Sequence, residues 1–125
     1  MPTVPSTRNM RRAMRSLRSA GYHVGETLSL HPSIRESILE YAFEHHLPPV
    51  GDVAYFDEWG EPRGARRLQK LANTLASLAR NAKRRDPLTL SRAISEWEQD
   101  LMFLYEKYYV RLFHFGWPAT ESFDA

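Results

Sequence analysis

Apolar residues recur at spacings of three and four over two long stretches of the chain. Leu68, Leu71, Leu75, Leu78 and Ala82 form one stripe, which predicts a helix over 65–83. Ala72, Ala76 and Ala79 narrow its flank and suit close packing against a neighbouring helix. Leu90, Ile94, Trp97, Leu101, Leu104, Tyr108 and Leu112 continue the rhythm and predict a second helix over 87–113. At the joint, Asp86 has the chemistry of an N-cap, and Pro87 suits the first helical position, where a missing N–H costs nothing. A connection this short between two striped helices predicts an antiparallel helical hairpin.

Two further helices can be read. Ser33 followed by Glu36 has the spacing of a capping box, in which the hydroxyl takes a first-turn amide and the carboxylate reaches back. Ile34, Ile38, Tyr41, Ala42 and His45 then give an apolar face to a helix over 33–46, closed by Pro48-Pro49. Met10, Ala13, Met14 and Leu17 give a thin face to a helix over 7–20, stopped by Gly21. Between these pairs, "PPVGDVAYFDEWGEPRG" breaks the pattern. Val53 to Phe56 suits a short strand and Asp57 to Gly60 a turn, while Pro62 weighs against a well-paired return strand. An ordered loop or minor β-hairpin anchored by Tyr55, Phe56 and Trp59 is expected there. The tail "FGWPATESFDA" is expected to be extended, with Trp117 folded back as an anchor. The fold class is therefore all-α: a small helical bundle built on the antiparallel hairpin. Its organisation is a basic N-terminal arm over 1–25 and a single helical domain over 26–125.

Composition fits this frame. The chain has 125 residues, 42% of them hydrophobic and 26% charged, which is ordinary for one globular domain with a buried core. It has no cysteine, which excludes disulfides, thiol catalysis and cysteine-ligated zinc. No apolar run is long enough to span a bilayer, so no membrane partner is expected, and the absence of cysteine is compatible with the cytoplasmic location expected.

Charge changes the picture more. The net charge is only +2, but it is laid out in blocks. Residues 1–25 hold five arginines (Arg8, Arg11, Arg12, Arg15 and Arg18) and no acid. Residues 26–61 hold eight acids against Arg35 alone, and residues 62–85 hold eight bases and no acid. Two basic blocks brought together in space would make an anion-binding surface. The acid-free start also has the composition of a mitochondrial presequence.

Arg66, Arg67, Lys70, Arg80, Lys83 and Arg84 lie mostly off the leucine stripe, Arg85 follows them, and guanidinium forks suit phosphates. One or two of the bases at 83–85 are accounted for by the partial negative charge of a helix C-terminus. The rest, with the N-terminal arginines, are candidate nucleic-acid contacts. Contact would be mainly to phosphate and groove shape, because neither helix pair has the short turn and polar second helix of a helix-turn-helix reader. Trp97 to Trp117 carries eight of the chain's 15 aromatic residues. Their helical register points to core, or to a partner or homodimer interface at Met102, Phe103, Tyr105, Tyr109 and Phe113.

Other chemistry finds little support. Adjacent His45 and His46 diverge by about 100° on a helix, so they do not share one ion, and no metal site or cofactor is expected. Glu96 and Asp100 stand one helical turn apart with Arg92 before them, the pattern of an ion pair on a solvated face. No phosphate-binding loop or nucleophile elbow occurs, so an enzyme is not expected. The leading expectation is a non-enzymatic accessory or regulatory protein that binds nucleic acid. The alternative is a protein–protein adaptor or inhibitor that uses the acidic 36–61 stretch and exposed aromatics.

Overall fold

The computed structural model describes residue 22, residue 24, residues 30–45 and residues 59–120. The expected 7–20 helix and the Val53–Phe56 strand, with Tyr55, Phe56, Asp57 and Glu58, lie outside the described residues. What is described is all-α: three helices packed together. They are α1 (Pro32–Glu44), α2 (Ala65–Arg85) and α3 (Ser91–Leu104). The chain then makes one π-helical turn at Tyr105–Tyr109 and resumes as a short helix at Val110–Leu112.

The leucine stripe of α2 is the centre of the bundle. Leu68, Leu71, Leu75 and the small flank Ala72, Ala76 and Ala79 are fully buried. Alanine on that flank lets the neighbouring backbones approach, and α2 packs chiefly on α3. Lys83 on α2 meets Glu98 on α3 at 3.1 Å, and the connection spans only Asp86 to Leu90. Both features are compatible with the expected antiparallel hairpin. Around α2 the core takes in Tyr22, Leu39, Phe43, Trp59, Leu101, Leu104 and Tyr108.

Three local expectations are corrected. The first helix begins at Pro32, with His31 rather than Ser33 as its cap. The His31 imidazole Nδ1 accepts the Ser33 N–H at 3.2 Å, and Pro32 takes the position where no donor is needed. Its inward face is Arg35, Leu39, Ala42 and Phe43. Ile34 and Tyr41, expected inside, are 48% and 52% exposed.

Asp86 ends α2 and caps the following turn, not α3 itself. Its Oδ1 accepts the Thr89 N–H at 3.2 Å and its carbonyl the Leu90 N–H at 3.0 Å. Helix α3 starts at Ser91, after that turn.

The expected stripe also fails at its far end, where Leu112 is 71% exposed and Phe113 packs on the core instead. The π turn is the physical reason. In it the Val110 N–H reaches back five residues to the Tyr105 carbonyl. That wider turn shifts the phase of every later side chain by one residue.

Candidate nucleic-acid interface

The bases of α2 have separate fates. Arg67 is only 2% exposed. It lies on the inner side of its helix, and its guanidinium is surrounded by carbonyls. Nε donates to Trp59 O at 3.1 Å, Nη1 to Ala42 O at 2.7 Å and His45 O at 2.6 Å, and Nη2 to Gly60 O at 3.0 Å. One side chain thereby closes the C-terminal turn of α1 and fixes the loop entering α2, satisfying carbonyls that a helix end leaves open. Arg66 is exposed, and Lys70 lies 5.8 Å over the Trp59 ring. Both belong to the first turns of α2. They stand about 27 Å and about 21 Å from Arg84, taking about 18 and 14 residues of helix at about 1.5 Å each.

The other end of α2 is different. Residues 80–92 hold five bases, Arg80, Lys83, Arg84, Arg85 and Arg92, and one acid, Asp86. Lys83 is matched by Glu98. Arg80 donates to the Ala119 carbonyl and the Ser77 hydroxyl, and Arg84 to the Asn81 amide oxygen. These acceptors are neutral, so they orient the guanidinium groups without cancelling their charge. Crowding is felt at Arg80: partial burial, and then the charge of Arg84 one turn on, hold its pKa below the ordinary arginine range. Arg84 and Arg85 are exposed, and Arg92 begins α3 at the same end. Its Nε is 3.9 Å from Glu96, too long for a hydrogen bond. The structure therefore gathers Arg84 and Arg85 at one tip, engages Lys83 with Glu98, places Arg66 and Lys70 far away, and buries Arg67. Arg8, Arg11, Arg12, Arg15 and Arg18 lie outside the described residues.

Four of the five candidate partner-interface residues are used mainly within the chain. Tyr105 and Tyr109 stack at 5.2 Å, and Trp117 packs on both at 5.3 and 4.8 Å. The tail thus folds back as expected, and the Tyr109 hydroxyl donates to the Phe115 carbonyl. Phe103 and Phe113 lean on the core, leaving Met102 exposed at 54%. Met102 borders an open groove of about 970 Å³ along α3, lined also by Lys83, Pro87, Ile94, Glu98 and Gln99.

A buried ionic cluster was not legible as such. Arg35 on α1 donates from Nη1 to Glu96 at 2.6 Å and from Nε to Asp100 at 2.9 Å, with the Tyr22 hydroxyl adding a 2.6 Å bond to Asp100. Glu96 and Asp100 therefore face inward, and the expected Arg92–Glu96 pair is present as a 3.9 Å contact between an exposed Arg92 and a buried Glu96 rather than on a solvated face. Their one signal in the sequence is register: Ala93, Glu96, Asp100 and Leu104 share one helical stripe. The cluster is sealed from solvent and joins α1 to α3, so its geometry serves architecture.

Among the described residues, no three histidines or carboxylates come together to hold a metal ion, and no helix is long and apolar enough to cross a membrane. Comparison with protein-family models, with curated proteins and with solved structures finds no match.

Proposed function

We propose that the protein is a non-enzymatic nucleic-acid-binding module whose described contact surface is the end of the α2–α3 hairpin. One observation carries the reading: residues 80–92 gather five bases against a single acid. Three of those bases, Arg80, Arg84 and Arg85, have no carboxylate partner among the described residues. Arginine dominates this surface, and its planar fork suits phosphate oxygens. The helix-end effect accounts for one or two cations at the end of α2, and the surplus here exceeds that. The N-terminal arginines would extend the same electrostatic surface. Regulation, a cytoplasmic location and dimer formation belong to this reading as extensions of it.

Binding of this kind depends on counterion release. Fluorescence anisotropy with a labelled duplex should show affinity falling steeply between about 50 and 200 mM salt. Arg84→Ala/Arg85→Ala should weaken binding on any sequence and flatten the logarithmic salt slope by about 1 for each phosphate no longer neutralised. Arg11→Ala/Arg12→Ala/Arg15→Ala should do the same. Absence of duplex and single-strand binding at low salt overturns the reading.

The groove beside Met102 favours a second reading, a protein–protein adaptor. The acids of α1 give that reading little support, since Glu40 and Glu44 are already matched by Lys107 and Arg63. The apolar groove wall would carry it instead, and Met102→Glu should then abolish partner binding while leaving duplex binding intact.

A further inference from the structure

The hairpin end is basic, and it also carries the most exposed large apolar residue described, Leu88, at 88% exposure. A lone exposed leucine is ordinary on a protein surface. Three features set this one apart. First, its backbone is held in place. Pro87 fixes the residue before it, the Asp86 carboxylate accepts the Thr89 N–H at 3.2 Å, and the Asp86 carbonyl accepts the Leu90 N–H at 3.0 Å. Little ordering is needed on contact. Second, Leu88 sits on the connection between two helices, whereas Ile34, Tyr41, Met102, Val110 and Leu112 lie on helical segments. Third, its charged chain neighbours are the exposed cations Arg84, Arg85 and Arg92 against one exposed acid, Asp86, an excess of positive charge that suits a polyanion and opposes an apolar protein partner.

From this juxtaposition of a rigid apolar tip and flanking guanidinium groups, we propose that Leu88 is a wedge that enters a base step of distorted duplex DNA while Arg84, Arg85 and Arg92 hold the adjoining phosphates. The inference rests on the nucleic-acid reading and adds to it a substrate class: kinked, nicked or bulged duplex rather than a base sequence. Apolar side chains that part a base step must overcome stacking, and a duplex already kinked removes part of that cost. Size distinguishes this from a membrane contact. Peripheral membrane helices bury a stripe of apolar residues, whereas one leucine matches one base step of about 3.4 Å.

The test uses the full chain, anisotropy at one fixed salt concentration, and two labelled duplexes of equal length, one continuous and one with a central two-nucleotide bulge. Wild type should prefer the bulged duplex by about tenfold. Leu88→Ala should bring the two affinities to within about twofold while leaving the continuous-duplex affinity, the salt slope and the melting temperature unchanged. Leu88→Phe should keep the preference. Arg84→Ala/Arg85→Ala should weaken both duplexes alike, which separates the wedge from the charge. A wild-type protein without preference, or an L88A variant that retains it, overturns the wedge but leaves the nucleic-acid reading standing. Absence of binding to either duplex overturns the wedge, and absence of single-strand binding at low salt as well overturns the nucleic-acid reading. Binding to phosphatidylserine vesicles that needs Leu88, with duplex preference unchanged in L88A, overturns the wedge in favour of a membrane surface.

Discussion

Arg35 and Asp100, 65 positions apart in sequence, meet through an Nε–Oδ2 hydrogen bond of 2.9 Å with both side chains almost wholly buried. The pair is incomplete without Glu96 and Tyr22, which bond to the same two groups. Removing the cation would leave two carboxylates in a low-dielectric interior. Arg35→Ala should therefore cost about 3–5 kcal/mol of unfolding free energy by urea titration. Replacing the set together (Arg35→Met, Glu96→Leu, Asp100→Leu, Tyr22→Phe) should recover most of that loss, because apolar packing often substitutes for a buried ion cluster. If the quadruple variant is no better than Arg35→Ala, the cluster does more than fill the interface.

Asp100 also makes stability depend on pH. Burial, helped by the charge of Glu96, holds its carboxyl above the ordinary carboxylate range, while the bonds from Tyr22 and Arg35 pull the other way and do not prevail. Arg92 is the remaining charge nearby, 3.9 Å from Glu96. An acid with a raised native pKa binds more protons folded than unfolded. Its contribution is greatest below the ordinary carboxylate value near 4 and is lost as pH rises through the native value. Chemical denaturation across mildly acidic pH should show that decline, and Asp100→Asn should flatten it.

Two tyrosines should resist ionisation. Burial, then the adjacent Asp100, pushes the Tyr22 hydroxyl well above the ordinary tyrosine value, and burial, then Glu44 and Glu40, raises Tyr108. An ultraviolet titration should leave part of its amplitude beyond about pH 10, and Tyr22→Phe and Tyr108→Phe should each remove a share of that late part. Both shifts favour the protonated, folded form, so this contribution is present below about pH 10 and fades as the native hydroxyls ionise at strongly alkaline pH.

Arg67 joins the end of α1 to the loop before α2 through four carbonyls. Lysine has the charge but not the fork. Arg67→Lys should lower stability by about 2–4 kcal/mol, as buried carbonyls lose their donors. Duplex binding should remain in whatever fraction stays folded. A loss of binding without a loss of stability would return Arg67 to the contact surface.

Gly60 adopts φ 65°, and an added Cβ would stand 2.9 Å from Arg66 Cβ. Gly60→Ala should cost about 1–3 kcal/mol, measured as a lower denaturation midpoint with an unchanged slope.

Much of this architecture could be read from periodicity because α2 and the first part of α3 keep one phase. Leu68, Leu71, Leu75 and Ala82, with Leu101 and Leu104, are buried where three-and-four spacing puts them, while Leu78 is only half-buried. The sequence misleads where a charged residue holds an interior position. Arg35 occupies the stripe with Leu39 and Ala42, and pattern reading assigns arginine to solvent, so Ile34 and Tyr41 take its place. Arg67 falls among the candidate phosphate contacts for the same reason. Only the carbonyls around it, contributed by residues far off in sequence, show that it belongs inside. The basic tip is legible as composition. That Lys83 is matched by Glu98 while Arg84 and Arg85 are not requires three dimensions.

The single π turn at Tyr105–Tyr109 has a consequence for length. A turn of this kind accommodates one residue more than a regular helix needs, while the segments before and after keep their orientation. A chain one residue shorter there could hold Leu104 and Phe113 in the same places with an unbroken helix. Any alignment of this protein with a distant relative should therefore allow a one-residue gap at 105–109, or Phe113 and Trp117 will be matched to the wrong neighbours.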